Sequence, residues 1–180
     1  MTNPRTVMIA ELATTENLLA IRELCELLPE IVVEHHKKLF EDAFAIEGIW
    51  EGYKIFGIPS KGRLEVSIPS NVGCNLFRFV ISVSDGDSNW FFGITGPWNL
   101  ATQHSEIMAL KDACAQHQLQ PWKDWIFAYF DSQRSDVYGL LGQEVDVKPI
   151  LVSMVRQFLK KCGQLKDQVE QVNDILVKGQ

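Results

Sequence analysis

Residues 77–94 read FRFVISVSDGDSNWFFGI, and this stretch decides the fold. Apolar residues alternate with other residues from Phe77 to Val83 and again from Trp90 to Ile94. Alternation of this kind is typical of a strand with one buried face. Between the two runs lies the polar stretch 85–88, Asp-Gly-Asp-Ser, whose residue types favour a tight turn. The stretch therefore predicts an antiparallel β-hairpin.

The sequence on both sides extends this hairpin into a larger sheet. Upstream, Leu64, Val66 and Ile68 alternate with polar residues, and residues 48–58 are rich in aromatic and β-branched side chains. Short turn-forming segments connect these runs, which is typical of an antiparallel meander. Downstream, residues 122–130 are dense in aromatic side chains. This segment is either a fifth strand or a buried irregular segment, so the sheet has four to five strands.

Helical periodicity flanks the predicted sheet. Apolar residues recur every three or four positions at about 15–28, and after Pro29 a second helix covers about 30–44. A middle helix covers about 103–117, with Thr102 as its predicted N-cap. The chain is thus predicted to be a single α+β domain over residues 1–180, with N-terminal helices, one middle helix and a long C-terminal helix.

The C-terminal helix, predicted at 147–177, carries the most regular pattern in the chain. Its apolar residues step by four and three as in a heptad repeat: Leu151, Val155, Phe158, Cys162, Leu165, Val169, Val172 and Leu176. The charged residues in 11–30 are mostly acidic, whereas those of this helix are mostly basic. Opposite charge and matching apolar steps predict that the two terminal helices pack together, either within one chain or exchanged between two chains as a homodimer.

Composition narrows the functional classes. The chain of 180 residues has a net charge of −6, which disfavours binding to nucleic acid through phosphate contacts. No apolar run is long enough to span a membrane. The four cysteines form no C-x-x-C pair, and three of them lie on apolar helix stripes, at 25, 114 and 162. We interpret these three as buried thiols of a cytoplasmic protein.

Catalytic signatures are not evident in the sequence. It contains no Gly-rich phosphate loop, no Gly-x-Ser-x-Gly motif and no complete calcium loop. We therefore expect no cofactor and no metal, and a protein that is not an enzyme. The alternative is a metal-dependent hydrolase, because four carboxylates in predicted turns or loops could converge on a cation: Asp85, Asp87, Asp131 and Asp136.

Aromatic residues are the unusual feature of the chain. Phe91 lies on the opposite strand face from Trp90 and Phe92, so one face is either covered by further helices or forms a binding surface. The hypothesis is a binding site where three tryptophans meet a polar loop, with two arginines adding charge recognition: Trp98, Trp122, Trp125, Asp131, Asp136, Arg78 and Arg134. We expect a protein partner; a small-ligand sensor with an aromatic pocket is a further alternative.

One resemblance concerns the layout of the chain. Helices precede a meander that holds Asn89-Trp90-Phe91-Phe92-Gly93-Ile94, and Trp122-Lys-Asp-Trp125, a polar loop and a heptad helix follow. This order resembles the non-catalytic region that trails the core in some bacterial PD-(D/E)XK nuclease-like proteins. The catalytic signature of that family is missing, so the resemblance carries over no active-site residue. It implies an accessory or binding module of bacterial defence or counter-defence.

Overall fold

The structure is a computed structural model that describes residues 13–48, 53–58, 63–67, 76–83, 90–130 and 148–178. These ranges hold four α-helices and a six-stranded sheet in which every strand pair is antiparallel. The predicted α+β class is therefore confirmed. The turn at 85–88, Cys74 and the segment 131–147 lie outside the described residues.

Helices and strands follow one another in an order close to the predicted one. The strands are β1 (Lys54–Ile58), β2 (Arg63–Ser67), β3 (Arg78–Val83), β4 (Trp90–Thr95), β5 (Gln120–Trp122) and β6 (Trp125–Tyr129). The α-helices are α1 (Thr15–Glu47), α2 (Ser105–Gln116), α3 (Lys148–Cys162) and α4 (Lys166–Lys178). Two 3₁₀ segments, Trp98–Thr102 and Gly163–Leu165, precede α2 and connect α3 to α4.

The sheet has the strand order β1-β2-β3-β4-β6-β5. Its first four strands form the predicted meander. The aromatic segment that the sequence left open forms a β5–β6 hairpin, and β6 pairs with β4. The turn of this hairpin is Lys123-Asp124, with Lys123 in the left-handed region at φ 49°. The sheet thus has six strands rather than four or five.

The N-terminal helical region differs from the prediction of two helices. Helix α1 runs without interruption through Pro29 for 33 residues, and the side chain of Thr14 caps it by accepting from the backbone N–H of Asn17. Proline removes one helical hydrogen bond and usually kinks or ends a helix. The flanking turns nevertheless remain helical here. The prediction of a boundary at Pro29 is therefore wrong.

Helix α2 confirms the predicted inner face but not the predicted cap. Ile107, Leu110 and Cys114 are buried, as the spacing requires. The residue at the N-cap position is His104, not Thr102, and it makes no side-chain capping bond. Thr102 instead ends the preceding 3₁₀ segment, so the chain turns tightly before the α-helix begins.

Helices α3 and α4 carry the predicted heptad seam. All eight seam residues are buried, with exposures from 0% to 6%. The long helix breaks into 3₁₀ geometry for one turn at Gly163, where the backbone is least constrained. The polar residue Asn173 of α4 is buried as well. It fixes α4 to the start of β3 through hydrogen bonds to both backbone groups of Phe77.

The hydrophobic core lies between the helices and one face of the sheet, the inner face. Phe158 of α3 packs on Phe79 and Phe92, with ring centroids 6.0 and 6.1 Å apart. Phe40 of α1 lies 5.2 Å from the Trp90 ring, and His36 contacts the same ring edge-on at 5.2 Å. Alternate residues of each strand thus point to opposite faces of the sheet, and the face that meets the helices is the core.

The terminal helices contact each other differently from the prediction. The C-terminal half of α1 packs on α3, through Phe44 against Phe158 and through an ion pair of 2.8 Å between Glu47 and Arg156. In the N-terminal half of α1, Leu18, Leu19, Leu24 and Leu27 are exposed, and Cys25 is exposed too. These exposed residues of α1 therefore do not cover the last helix within one chain, and the prediction of a buried Cys25 is wrong.

Candidate functional site

The outer face of the sheet, opposite the core, carries the candidate site. Residues that lie directly opposite in an antiparallel pair point to the same face. The register places Phe91 opposite Tyr129, and Thr95 opposite Trp125. Trp122 lies opposite Trp125 across the terminal hairpin. The outer faces of β4, β5 and β6 therefore bring aromatic side chains together.

Five of these side chains form what we call the outer aromatic cluster: Phe91, Trp122, Trp125, Phe127 and Tyr129. Phe91 is central, with ring centroids 5.7 Å from Trp125, 5.5 Å from Phe127 and 6.2 Å from Tyr129. The rings meet edge to face, an arrangement that aromatic quadrupoles favour. The cluster is therefore a packed group of rings rather than a set of independent side chains.

Gly93 allows this packing. It lies between Phe91 and Thr95 on the outer face of β4, opposite Phe127. A Cβ at this position would lie 2.6 Å from the Cα of Phe127, closer than real Cβ atoms approach. Glycine thus lets β6 approach β4 closely at the middle of the cluster.

Exposure within the cluster is uneven. Phe91, Trp125 and Phe127 are half-buried, whereas Trp122 is 56% exposed and Tyr129 is 55% exposed. Lys123 sits over the Trp122 ring, with its Nζ 5.0 Å from the ring centroid. The cluster therefore has a packed base and an accessible rim, and Trp122 is the largest side chain of that rim.

A charged group lies beside the cluster on the outer faces of β2 and β3. Glu65 is 5% exposed and pairs with Arg63 and with Arg78, the latter at 2.9 Å. The Arg63 guanidinium also lies 5.0 Å from the centroid of the Trp125 ring, a cation–π contact. The group holds two cations for one carboxylate, and Arg78 is the more exposed cation. Positive charge is thus present at one side of the aromatic cluster.

The predicted site residues separate in the structure. Arg78, Thr95, Trp125 and Trp122 form one row across four strands, so three of the predicted residues share the outer face. Trp98 does not, because it is 7% exposed and packs edge-on against Phe77 in the core at 4.7 Å. Its indole N–H donates to the Ile94 carbonyl oxygen. Its assignment to the binding site is therefore corrected.

The remaining predicted site residues, Asp131, Arg134 and Asp136, lie outside the described residues. Conversely, sequence reasoning did not assign Phe127, Tyr129, Arg63 and Glu65 to the site. The alternation of Trp125, Phe127 and Tyr129 was the available signal for two of these, since a period of two predicts a shared strand face.

The two hairpin tryptophans also needed their tertiary context. Trp122 and Trp125 are three residues apart, which on one strand would place them on opposite faces. The turn at Lys123 puts them on two different strands directly opposite each other. Trp122 and Trp125 therefore share one face of the sheet although they are three residues apart.

The titratable side chains that the structure describes give no indication of a reactive centre. Burial raises the pKa of Cys114 to about 12 and holds that of Cys162 well above its usual range, so both thiols stay protonated at neutral pH. Burial, and then the neighbouring His35, lower the pKa of His36 to about 4. Within the described ranges, no three His, Cys, Asp or Glu residues are placed to hold a metal ion.

Searches of protein-family models, curated proteins and solved structures find no match to this chain. The resemblance in layout to nuclease-like proteins thus stays a prediction. None of the described helices has the length and apolar character needed to cross a membrane.

Proposed function

We propose that this chain is a non-enzymatic binding module that recognises a protein partner through the outer aromatic cluster. The observation that carries the proposal is the rim of that cluster. Trp122 and Tyr129 expose more than half of their surface on neighbouring strands and are backed by packed rings. Exposed tryptophan and tyrosine are costly in water and are enriched among the residues that dominate binding energy.

The support beneath these two side chains favours tight recognition. Phe127 contacts both the Trp122 and the Tyr129 ring, with centroids 6.3 and 5.5 Å away. Because neighbouring rings restrict their rotation, the rim side chains lose little conformational entropy when a partner covers them. Arg78 adds a partly exposed cation at the side of the cluster, and arginine is also enriched at interfaces.

Recognition through the sheet face is favoured over strand addition at the β5 edge, which lies next to the cluster. Strand β5 forms one edge of the sheet, has only three residues and includes Pro121. Proline cannot donate a backbone hydrogen bond, and short edge strands with proline resist pairing with another strand. We therefore place the partner on the side chains of the outer face rather than on the backbone of β5.

Charge favours a protein over a nucleic acid as the partner. The chain has a net charge of −6, and Glu65 neutralises one of the two arginines beside the cluster. Nucleic-acid surfaces need several unpaired cations along the phosphate backbone. The buried free thiols of Cys114 and Cys162 agree with a partner in the reducing cytoplasm. A partner from bacterial defence or counter-defence is what the resemblance in layout implies.

Affinity capture from the native host tests the proposal. The wild-type chain and the Trp122→Ala variant serve as baits, and Met108→Ala is the matched control because Met108 is a 44% exposed apolar residue of α2. We expect a protein that both the wild type and Met108→Ala capture and that Trp122→Ala loses. Circular dichroism must show that all three baits melt at nearly the same temperature. Equal capture by all three baits contradicts the proposal.

A further inference from the structure

The N-terminal half of α1 presents a second apolar surface, separate from the sheet. Leu24, Leu27 and Ile31 are 59%, 50% and 53% exposed, and we call these three residues the α1 stripe. Their spacing of three and four places them on one side of the helix. Three large apolar side chains in a row on a solvent-exposed helix face are typical of an interaction site.

The α1 stripe lies on a different side of the helix from the α1 residues that face the core. Among the α1 side chains that the structure describes, the buried ones are Val33, His36, Phe40, Ala43 and Phe44. A regular α-helix turns about 100° per residue, so the nine residues from Ile31 to Phe40 correspond to about 180°. The sixteen residues from Leu24 to Phe40 correspond to about 160° by the same geometry. The stripe therefore points away from the body of the protein.

The last helix of the chain is not a suitable occupant of this stripe. Its apolar seam, from Leu151 to Leu176, is already buried at 6% exposure or less. Exchange of that helix between two copies would merely replace one set of core contacts with another and leave the α1 stripe uncovered. The surface thus requires an apolar face from elsewhere.

The charged residues beside the α1 stripe indicate what kind of partner segment would cover it. Glu23, Glu30 and Glu34 are exposed and follow one another at intervals of seven and four, so they line one flank of the α1 stripe. Glu34 has Lys37 as a partner at 3.1 Å, and the Arg22–Glu26 pair of 3.0 Å lies around the helix from the stripe. The flank is therefore a row of carboxylates beside leucine and isoleucine.

We propose that the α1 stripe is a docking site for a basic amphipathic helix of a partner protein. The apolar face of that helix covers Leu24, Leu27 and Ile31, and its lysines or arginines lie along Glu23 and Glu30. Flanking charges of this kind choose the partner and its orientation in paired helices. A helix laid into an apolar, oppositely charged surface is a recurring mode of peptide recognition.

A second copy of this chain fits the surface less well. In an antiparallel pair of two α1 helices, each flank lies against the same flank of the other copy. The glutamate rows of the two copies would then face each other, and like charges in that position are destabilising. A parallel pair would place each glutamate row against the opposite flank, where Ile21 and Cys25 lie. Neither arrangement pairs the carboxylates with cations.

Two designed peptides test the proposal. Both are 18-residue amphipathic helices with the same leucine face; one carries lysines along its flanks and the other carries glutamates. Fluorescence anisotropy measures their binding to the wild-type chain. We expect micromolar binding of the lysine peptide that weakens as salt rises, and at least tenfold weaker binding of the glutamate peptide. Equal binding of the two peptides, or binding of neither, overturns the proposal.

Variants of the chain locate the site. Leu24→Gln combined with Leu27→Gln should weaken the lysine peptide at least tenfold. Leu19→Gln should change it less than twofold, because Leu19 is 57% exposed on the same helix but lies about 80° from Leu27 around the axis. Trp122→Ala should leave peptide binding unchanged. The proposals for the α1 stripe and for the outer aromatic cluster are therefore tested independently. A wild-type dimer in light scattering that becomes a monomer in the double variant would assign the stripe to a second copy instead.

Discussion

Asn173 offers the sharpest test of how α4 is fixed to the sheet. Asn173 is 1% exposed, and its side-chain amide both donates to and accepts from the backbone of one residue, Phe77, that directly precedes the sheet. The backbone N–H of Phe77 donates to Oδ1 of Asn173 at 2.8 Å, and Nδ2 of Asn173 donates to the Phe77 carbonyl oxygen at 2.9 Å. The two bonds satisfy a backbone position just before β3 begins, where Phe77 itself is fully buried.

Replacing Asn173 by alanine removes both bonds without introducing a charge. A buried backbone group that loses its partner costs about 1–3 kcal/mol, so two such groups cost about 2–6 kcal/mol of unfolding free energy. For a chain of this size each kcal/mol lowers the melting temperature by roughly 2–4 °C, which gives an expected decrease of roughly 4–24 °C.

Urea denaturation followed by tryptophan fluorescence measures the change, with thermal melting as a second readout. Gln171→Ala is the matched control, since Gln171 is exposed on the same helix and its replacement should stay within about 0.5 kcal/mol of the wild type. If Asn173→Ala is also within that limit, the two hydrogen bonds do not fix α4, and the account of the C-terminal half of the fold is wrong.

Four further predictions follow from burial and charge. The pKa of His36 falls from 6.5 to about 4 on folding, so the unfolding free energy from urea titrations should decrease by up to about 3 kcal/mol as the pH is lowered from about 6.5 toward 4, and His36→Phe should remove this part of the dependence. Glu65→Ala should cost about 3–5 kcal/mol because it leaves two arginines without their carboxylate, whereas Glu26→Ala at an exposed pair should cost less than about 0.5 kcal/mol in the same assay. Deleting residues 164–180 should abolish the cooperative thermal transition by opening the core, and a truncated chain with an unchanged melting temperature would contradict the role of α4. Calorimetric titration with Mg²⁺, Mn²⁺, Ca²⁺ and Zn²⁺ should detect no binding tighter than the millimolar range, and micromolar binding would instead favour the hydrolase alternative.

The parts of the fold that were predictable rest on local periodicity. Alternation from Phe77 to Ile94 identified two neighbouring strands and their inner face, because strand side chains point to alternate sides. The steps of three and four from Leu151 to Leu176 identified the buried seam of the last helices for the same kind of reason. In both cases one apolar face meets one core, so the pattern and the burial coincide.

The same periodicity misleads in α1. Its N-terminal apolar residues have helical spacing, which predicts a helix correctly but does not say what covers it. The structure turns the side of Leu24 and Ile31 away from the core, and it also continues the helix through Pro29. Whether an apolar helix face is buried in the core or exposed for an interface depends on how the helix is rotated about its axis relative to the rest of the protein. The local sequence pattern does not determine that rotation.

The candidate site was predictable only in part because it depends on long-range pairing. Trp122 and Trp125 were identified from their residue type, but their common face follows from a two-residue turn. Trp98 has the same residue type and lies in the core, because the 3₁₀ segment after β4 directs it against Phe77. Arg63 and Glu65 became visible as part of the site only when β2 was placed beside β3.

The ratio of two dissociation constants tests the central claim most directly. Isothermal titration calorimetry with the purified captured partner would compare the wild-type chain with Trp122→Ala, and with Met108→Ala as the control. Loss of an interface tryptophan at the centre of binding costs about 2 kcal/mol or more, so Trp122→Ala should raise the dissociation constant about 30-fold or more while the melting temperature stays nearly unchanged. Met108→Ala should change it less than twofold. A dissociation constant for Trp122→Ala within twofold of the wild type would contradict the claim that the outer aromatic cluster is the binding surface.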